Sequence, residues 1–579
     1  MKNKLSFNTN IFIEAMRQLR VTGIISVIIM AGLAIIRIVA MITDYTDDAP
    51  IIQTTFTGIG WMPWMVISFM LITPLLMFQA FHFMDKRNSS DLYHSLPHTR
   101  GTIFISVSAA VMAWVIISII ATVIPSLLSA LFFSKYIAFI YDTFFLFILT
   151  NIVSCLLVGG AILIAKSLSG TIFNGIILTG LIIFVPRFLM TMFISAIESN
   201  NIFRGFIGNS FTRNELNPVV SSVFAMLGID TSADLSLTFI NVSTIIYGFI
   251  LGIIYFILGG FAFCRRNSET ASQSAPSRKI QALYRIIIAL VLSSAIVVGL
   301  FEETLYDYSI DVLEFVILYL LVAFVYFLYE LITTKKLKNL VRAIPGLGIV
   351  AVLNIAMFFG ISGFYKNAMS FRPAPDEINS VTVIPDIDAN SNYNSISYYD
   401  YVLNKIDGLE ITDKKIIEDV SYTLDKNLSM TESSVSRLYN SYSSSTYLTS
   451  FQINTNGTSK CRNIYLNDEQ YTNLNKVVCN SKTFKDAWMS LPALKDINDV
   501  YAYDNNTNTH ITSEENAEEL YTMLANEIKT ADFETWFNAY IEKEVSNINF
   551  TCRYLINGKT YYLTIPVFEE VKNAHVCQM

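Results

Sequence analysis

Long apolar runs constrain this chain more than any other feature. A helix needs about 20 apolar residues to cross roughly 30 Å of hydrocarbon. Only 15% of the residues are charged, against about a quarter in an ordinary soluble domain. The sequence therefore predicts a polytopic α-helical membrane protein with about nine transmembrane helices, at about 21–43, 61–84, 102–131, 143–166, 172–197, 240–264, 284–301, 311–333 and 344–364. Pro125 lies inside the third run, which we expect to bend or to end early.

The N-terminal residues 1–20 predict an amphipathic helix that lies at the membrane interface. One face would be apolar and the opposite face polar, the first formed by Phe12, Ala15, Met16 and Leu19 and the second by Glu14, Arg17 and Gln18. A plain cytoplasmic tail is the alternative. The run after it has no small-x-small cleavage site, so we expect it to remain as the first span rather than leave as a signal peptide.

Charge is distributed unevenly between the two parts of the chain. From Lys366 onward there are 18 Lys and Arg against 29 Asp and Glu, a net charge of −11, while the remainder carries +4. Neither part resembles a nucleic-acid-binding domain. With the N-terminus inside, the inner segments hold 17 Lys and Arg and the outer loops hold three. This asymmetry predicts a cytoplasmic N-terminus and an extracellular segment 366–579.

The segment 366–579 predicts an α+β extracytoplasmic domain. Two stretches have the pattern of β-hairpins with Asn-Gly turns, one at Asn456-Gly457 and one at Asn557-Gly558. Helical patterns run from Asp413 to Leu428 and from Ser513 to Lys529. The repeated order of hairpin and helices is compatible with two weakly similar units.

Four of the six cysteines lie in the predicted outer domain, at Cys461, Cys479, Cys552 and Cys577. An even number outside the cell permits two disulfides with three possible connectivities, and four free thiols are the alternative. Cys155 and Cys264 lie in apolar runs, where small apolar packing is the ordinary role of cysteine.

The sequence contains no recognisable catalytic or cofactor motif. No phosphate-binding loop is present, and the string NGTSK at Asn456 belongs to a hairpin turn. The zincin, nucleophile-elbow and Cys-x-x-Cys patterns are absent as well. His82, His94 and His98 cluster, but Pro97 interrupts the helix that would align the last two. We therefore expect neither catalysis nor a resident metal or cofactor in this chain.

Two arginines, Arg37 and Arg187, lie inside apolar runs. Charge at such depth is costly and usually faces a cavity, a partner or the interface. Both lie toward the predicted outer leaflet, where they could contact an anionic head group or a substrate. Alternatively they reach the outer interface, or pair with Asp44 or Glu198.

The polar segment 87–100, RNSSDLYHSLPHTR, separates the second and third apolar runs. Asn88, Ser89 or Ser90 could cap a short helix and Pro97 would end it. Two turns would then present Leu92, Tyr93 and Leu96, flanked by Asp91 and His94. Such a helix either docks into a groove of another protein or packs on its own bundle.

The stretch Asp-Leu-Tyr-His-Ser-Leu-Pro-x-x-Arg in this segment resembles the coupling segment of ABC-2 type permeases of Gram-positive bacteria. The layout of residues 1–266 is similar too, with a six-span core, coupling segment 87–100 and outer segment 198–239. Three additional spans in 267–365 and the domain at 366–579 resemble a subgroup of these permeases. The resemblance implies a bacterial plasma-membrane exporter subunit, with ATP and Mg bound by separate cytoplasmic ABC ATPase subunits, a second permease as partner, and Asp91, Leu92, Tyr93, His94, Leu96 and Pro97 in the coupling contact.

A second hypothesis comes from a different class of function. The large outer domain is equally compatible with a membrane sensor or anchor that binds a ligand without transport. An intramembrane enzyme is disfavoured because the apolar runs contain neither paired carboxylates nor a cluster of His, Asp and Glu. Co-purification with an ATPase would separate the exporter from the sensor.

Overall fold

The structure is a computed structural model of the 579-residue chain. It describes residues 7–43, 62–95, 97–133, 141–203, 217–226, 242–266, 271, 277–307, 311–385, 395–433, 446–494, 497–504, 509–510, 521–522, 524–526, 528, 533, 537, 548–556 and 559–566. The described residues before Ser370 are almost entirely helical, and the described strands all lie after Pro375.

In the part of the chain that the structure describes, eight helices are long and apolar enough to cross a membrane, by their length and composition. This agrees with the predicted polytopic membrane protein. The helices before the sheets are α1 Thr9–Gln18, α2 Arg20–Thr43, α3 Met62–Ile67, α4 Thr73–Ala80, α5 Arg87–Ser95, α6 Arg100–Phe132, α7 Tyr141–Leu168, α8 Ile172–Glu198, α9 Pro218–Met226, α10 Val242–Arg265, α11 Arg278–Tyr306, α12 Val312–Thr334 and α13 Lys338–Met369. The eight are α2, α6, α7, α8, α10, α11, α12 and α13.

The predicted second span forms a shorter apolar helix, Trp64–Ala80, with an irregular turn inside it. A π-helical turn, Ser68–Ile72, separates α3 from α4. Pro74 has no N–H and therefore cannot continue a regular helical ladder at that point. The N–H of Thr73 instead donates to the carbonyl of Ser68, and the Thr73 hydroxyl donates to the same oxygen at 2.8 Å. The extra residue in the turn thus accommodates the proline.

The third predicted span does not end early. Helix α6 continues through Pro125 to Phe132, for 33 residues. Hydroxyls on both sides of the proline donate to carbonyls of the helix. Thr122, before the proline, donates to Ile119 at 2.6 Å, and Ser126, after it, donates to Thr122 at 2.8 Å. These side-chain bonds add to the backbone bonds of the turns next to the proline, through which the helix continues.

The bundle has two distinct ends. At one end Tyr284, near the start of α11, donates to the carbonyl of Leu168 at the end of α7. At the other end Tyr306, the last residue of α11, donates to the carbonyl of Ser199 just after α8. The first end, called the α5 end here, also brings Arg266 into hydrogen-bond contact with Met84 and Ser169, so the described parts of three predicted inner connections meet there. The sheets pack against the second end.

Among the described residues, nine strands form two separate sheets after the helical bundle. The strands are β1 Ile378–Ile384, β2 Ser395–Ile396, β3 Leu409–Ile411, β4 Thr446–Thr455, β5 Thr458–Asn467, β6 Ile497–Asp504, β7 Thr509–His510, β8 Ile548–Ile556 and β9 Lys559–Pro566. The described helices among them are α14 Tyr398–Lys405, α15 Lys414–Ser433, α16 Asp468–Asn480 and α17 Lys482–Trp488. One sheet has the order β3-β1-β4-β5 and the other β2-β9-β8-β6-β7. This is the α+β pattern that the sequence predicts.

The predicted hairpin at Asn456-Gly457 is present. Thr455 pairs with Thr458, which leaves a two-residue turn, and Gly457 has a φ of 98° that suits a residue without Cβ. In the second hairpin Ile556 pairs with Lys559, while its turn lies outside the described residues. The helix predicted from Asp413 is α15, and the Asp413 carboxylate caps it by accepting from the N–H groups of Lys415 and Ile416. The ends of the helix predicted at 513–529 lie outside the described residues.

The two sheets share one topology. In each, a first strand pairs antiparallel with the next strand on one side and with the first strand of the hairpin on the other. Strands β1, β3, β4 and β5 thus correspond to β6, β7, β8 and β9. Counted from the Asn-Gly turns, Ile464 and Ile565 fall at the same position, and both are fully buried. The outer region is therefore built from two related units, with β2 of the first unit added to the second sheet.

One apolar core joins the first sheet to the bundle. It contains Ile197 of α8, Val297 of α11 and Ile361 of α13 together with Val381 of β1 and Trp488 of α17. The sheets therefore stand directly on the ends of these three long helices, rather than on a flexible linker.

Of the two alternatives for the outer cysteines, the described residues show free thiols and no disulfide. Cys461, Cys479 and Cys552 are free thiols, and Cys577 lies outside the described residues. Cys552 is fully buried in β8, and this burial raises the pKa of its thiol to about 12. Desolvation likewise raises the pKa of Cys479 to about 12. Both groups are therefore protonated and poorly nucleophilic at neutral pH.

Candidate functional site

The short helix α5 is the segment that the sequence singles out. It begins at Arg87, so the predicted caps Asn88, Ser89 and Ser90 lie in its first turn instead. Ser90 is buried, and its N–H donates to the carbonyl of Lys86 at 2.9 Å. The helix ends at Ser95, two residues before Pro97, as a following proline predicts.

Helix α5 packs against the bundle through aromatic rings. The rings of Tyr93 and Phe83 are stacked, with centroids 4.0 Å apart and planes 12° apart. Phe83 also meets Phe263 of α10 edge to face at 6.3 Å. The Tyr93 hydroxyl donates to Oε1 of Gln18, at the end of α1, at 3.3 Å. Tyr93 is therefore half-buried and joins α5 to the bundle, as in the alternative that this helix packs on its own bundle, whereas Leu92 is presented outward.

A buried ion pair between Asp85 and Lys166 lies next to this aromatic contact. Nζ of Lys166, near the end of α7, lies 2.5 Å from Oδ1 and 2.6 Å from Oδ2 of Asp85. The lysine side chain is fully buried, and the carboxylate is almost so. His82 adds a third contact, with Nδ1 at 3.3 Å from Oδ2 of the same aspartate. The pair ties the connection after α4 to the end of α7.

Two arginines, Arg100 and Arg266, connect this region to the end of α10 by hydrogen bonds to backbone carbonyls. Arg100, at the start of α6, donates to the carbonyls of Cys264 at 3.2 Å and Arg266 at 2.6 Å. Arg266 in turn donates to the carbonyls of Met84 at 2.9 Å and Ser169 at 3.0 Å. Burial lowers the pKa of Arg266 to about 10, with the charge of Asp85 opposing the shift, so the guanidinium stays charged at neutral pH.

Together these contacts hold α5 in place. The residues that form them are called the α5 platform here: Phe83, Asp85, Arg100, Lys166 and Arg266. Through it α5 is joined to α4, α6, α7 and α10, and through Tyr93 to α1. Sequence reasoning had missed these residues as a site and had counted the cations only as evidence of orientation. Their common signal is position, since all lie within a few residues of a predicted span end.

The face of α5 away from the platform is exposed. Leu92 is 64% exposed, and Asp91 and Pro97 are exposed with it. Leu96 and the side chain of His94 lie outside what the structure describes. Of the three apolar residues predicted to form the contact, Leu92 is thus the one that is described and fully presented.

Arg37 and Arg187, the two arginines within the apolar runs, lie on different helices and have different neighbours. Arg37 is half-buried on α2, which packs along α1 and α6, and its buried Nε has no hydrogen-bond partner among the described residues. Arg187 is 5% exposed on α8, and its guanidinium lies 5.0 Å from the centre of the Tyr247 ring of α10. Asp44, a suggested partner, lies outside the described residues. A joint anion site of the two arginines stays a prediction.

A metal centre finds no support in the described part of the chain. There, no group of three or more His, Cys, Asp and Glu side chains could hold an ion. His82 contacts Asp85 in the platform and His98 is exposed, so these two histidines have separate surroundings.

Comparison with known proteins gives no further guide to the site. No protein-family model, no curated protein and no solved structure matches this chain.

Proposed function

We propose that this chain is the membrane-spanning permease subunit of an ATP-driven ABC exporter, in which α5 is the contact for a separate cytoplasmic ATPase. The observation that supports the proposal is the short helix α5, whose outer face is exposed and whose inner face is held by the α5 platform. Leu92 is exposed on α5, and α5 is bonded to the bundle. A partner that contacts Leu92 could therefore transmit its motion to the membrane helices.

The bracing matters because a coupling element has to move the helices rather than bend by itself. A force on α5 would act on α4 through Asp85 and on α7 through the buried Lys166 ammonium. Separating that pair would leave an uncompensated buried charge, a change that costs about 3–5 kcal/mol. Within that limit α5 and the ends of these helices move as one body.

The chain would supply the membrane path and its partners the energy. ATP and Mg would be held by the ATPase subunits, since the sequence contains no phosphate-binding loop of its own. A second permease, identical or related, would complete the path. Large apolar side chains remain exposed along α12, such as Leu320 and Phe324, and these suit contact with lipid or with the second permease.

The proposed location is the bacterial plasma membrane, with the α5 end cytoplasmic and the sheets extracellular. The charge asymmetry between the connections supports this orientation. The segment α1 would lie at the cytoplasmic interface beside α5, where Gln18 meets Tyr93. The transported substrate is left open by this proposal.

The test is the substitution Leu92→Asp. Burial of a leucine contributes about 1.5–3 kcal/mol to a contact, and a charge there should cost more. We expect ATP hydrolysis that co-purifies with the tagged chain from its native membranes to fall at least tenfold, together with photolabelling of the partner by 8-azido-ATP. The chain itself should remain in the membrane at unchanged amount.

The matched control is Leu337→Asp. Leu337 is 71% exposed, lies just before α13 at the predicted cytoplasmic side, and can serve as a helix cap when changed to Asp. This variant should retain the ATPase. Equal retention in both variants would count against α5 as the contact, and absence of any ATPase with the unmodified chain would favour the sensor or anchor.

A further inference from the structure

A pocket of about 590 Å³ opens in the sheet region, between α14, α16 and the start of β4. Its volume lies in the range of about 300–1,000 Å³ that is usual for sites of small molecules. Its floor is apolar and buried, formed by Leu403, Leu474 and Phe537. Phe537 comes from the second unit of the outer region, so the pocket lies where the two units meet.

Three tyrosines form much of the wall. Tyr447 of β4 and Tyr471 of α16 are stacked, with ring centroids 4.1 Å apart and planes 9° apart. Tyr399 of α14 donates from its hydroxyl to Oδ1 of Asn475 at 3.3 Å. These contacts hold the rings in place before any ligand arrives, which lowers the entropic cost of binding.

The charge of the wall has one sign. Among the described residues that line the pocket, Asp400 alone carries a formal charge. Its carboxylate accepts a hydrogen bond from the hydroxyl of Ser397, which fixes it in the first turn of α14. The face of an aromatic ring is negative as well, and segment 366–579 has a net charge of −11. The charge of the described lining therefore favours cations over anions.

We propose that this pocket binds a small organic cation, an ammonium or guanidinium group carried on an apolar body. The apolar part would contact the floor of Leu403, Leu474 and Phe537. The cationic group would lie among the tyrosine rings and Asp400, where a desolvated cation–π contact is favourable. This site does not depend on the proposed permease function, because it is built wholly from the outer region.

The experiment uses the full-length chain in nanodiscs of phosphatidylcholine, a zwitterionic lipid, with empty nanodiscs as the blank. The probes are benzyltrimethylammonium, neutral benzyl alcohol and anionic benzenesulfonate, followed by saturation-transfer difference NMR. The cation should bind at least tenfold more tightly than the alcohol, and the sulfonate should not bind. Equal binding of the cation and the alcohol would overturn the proposal.

Matched variants locate the binding in the pocket. Asp400→Asn should weaken the cation about tenfold, whereas Glu418→Gln, which removes the same charge from the exposed face of α15, should have no effect. Tyr471→Phe keeps the ring and should keep binding, while Tyr471→Leu should weaken it to the level of Asp400→Asn. If Asp400→Asn and Glu418→Gln bind the cation alike, the site is not this pocket. A loss of ATPase contact in Leu92→Asp leaves these results unchanged, so the two proposals fail separately.

Discussion

The guanidinium of Arg462 in β5 donates a hydrogen bond to the carbonyl oxygen of Ala368, at the end of α13, at 3.1 Å. The arginine is fully buried, and its guanidinium lies 5.2 Å from the ring centres of Phe203 and Phe371. The corresponding residue of the second unit, five positions after its turn glycine, is the buried Leu563. One unit thus has an arginine where the other has an ordinary core residue, and the arginine joins the first sheet to the helical bundle.

Arg462→Met should loosen this joint. It keeps much of the apolar stem but removes the hydrogen bonds to the carbonyls of Ala368 and Cys461. A hydrogen bond from a charged group contributes about 1.5–3 kcal/mol. Hydrogen exchange should therefore quicken at residues 365–371 while strands β8 and β9 keep their protection. Lys426→Met, an exposed site on α15, is the control and should change neither; faster exchange in both sheets alike would contradict a local joint.

Asp85→Asn should destabilise the α5 platform by about 3–5 kcal/mol, because it leaves the Lys166 ammonium buried without its counter-charge. The measurement is the thermal stability of the detergent-purified chain. The double variant Asp85→Asn with Lys166→Met should regain most of the loss, since both charges are then gone. Asp91→Asn, on the exposed side of α5, should have little effect. A double variant as unstable as Asp85→Asn alone would mean that the charge is not the cause.

Gly346→Ala should disturb the packing of α13 on α12. A Cβ at Gly346 would collide with the hydroxyl of Tyr326, which donates to the carbonyl of Ala343 at 2.7 Å. Overpacking of this kind costs about 1–3 kcal/mol. Gly348→Ala meets open space and should be neutral or stabilising. Adding Tyr326→Phe to Gly346→Ala should relieve part of the loss; no difference between the two alanine variants in thermal stability would disprove the close contact.

Cysteine labelling tests the proposed orientation. In a background without the native cysteines, Lys426→Cys on α15 should react with a membrane-impermeant maleimide on intact cells. Leu337→Cys, before α13, should react only after the cells are opened. Both positions are exposed, so reactivity reports sidedness rather than burial. The reverse pattern would place the sheets in the cytoplasm and would remove the basis for an ATPase contact at α5.

Local signals in the sequence account for much of the fold. Asn456-Gly457 specifies its hairpin because a two-residue turn with a positive φ needs a residue such as glycine. Apolar runs of spanning length likewise specify the long helices, since length and composition are properties of each segment alone. Pro74 marks a point where the helical hydrogen bonds of the second apolar run cannot be regular, but the form of the irregularity, a π turn closed by Thr73, depends on how the freed backbone groups find partners.

What could not be predicted depends on contacts between distant segments. The sequence of α5 gives no reason for Tyr93 to turn inward, since its partners Phe83 and Gln18 come from other elements. The ion pair of Asp85 with Lys166 joins residues 81 positions apart, and either charge alone suggests only a span end. The sequence likewise could not decide whether the cysteines of the outer region form disulfides, because spacing in sequence does not fix which cysteines meet in space.

Strand β2 makes the outer region indivisible in practice. It belongs by sequence to the first unit, yet Ser395 and Ile396 pair in parallel with Tyr562 and Leu563 of β9. A chain cut between the units would expose an unpaired edge on the second sheet and leave β2 without a neighbour. The two units should therefore melt in a single transition, and a shortened gene that keeps one unit would yield a protein prone to aggregation.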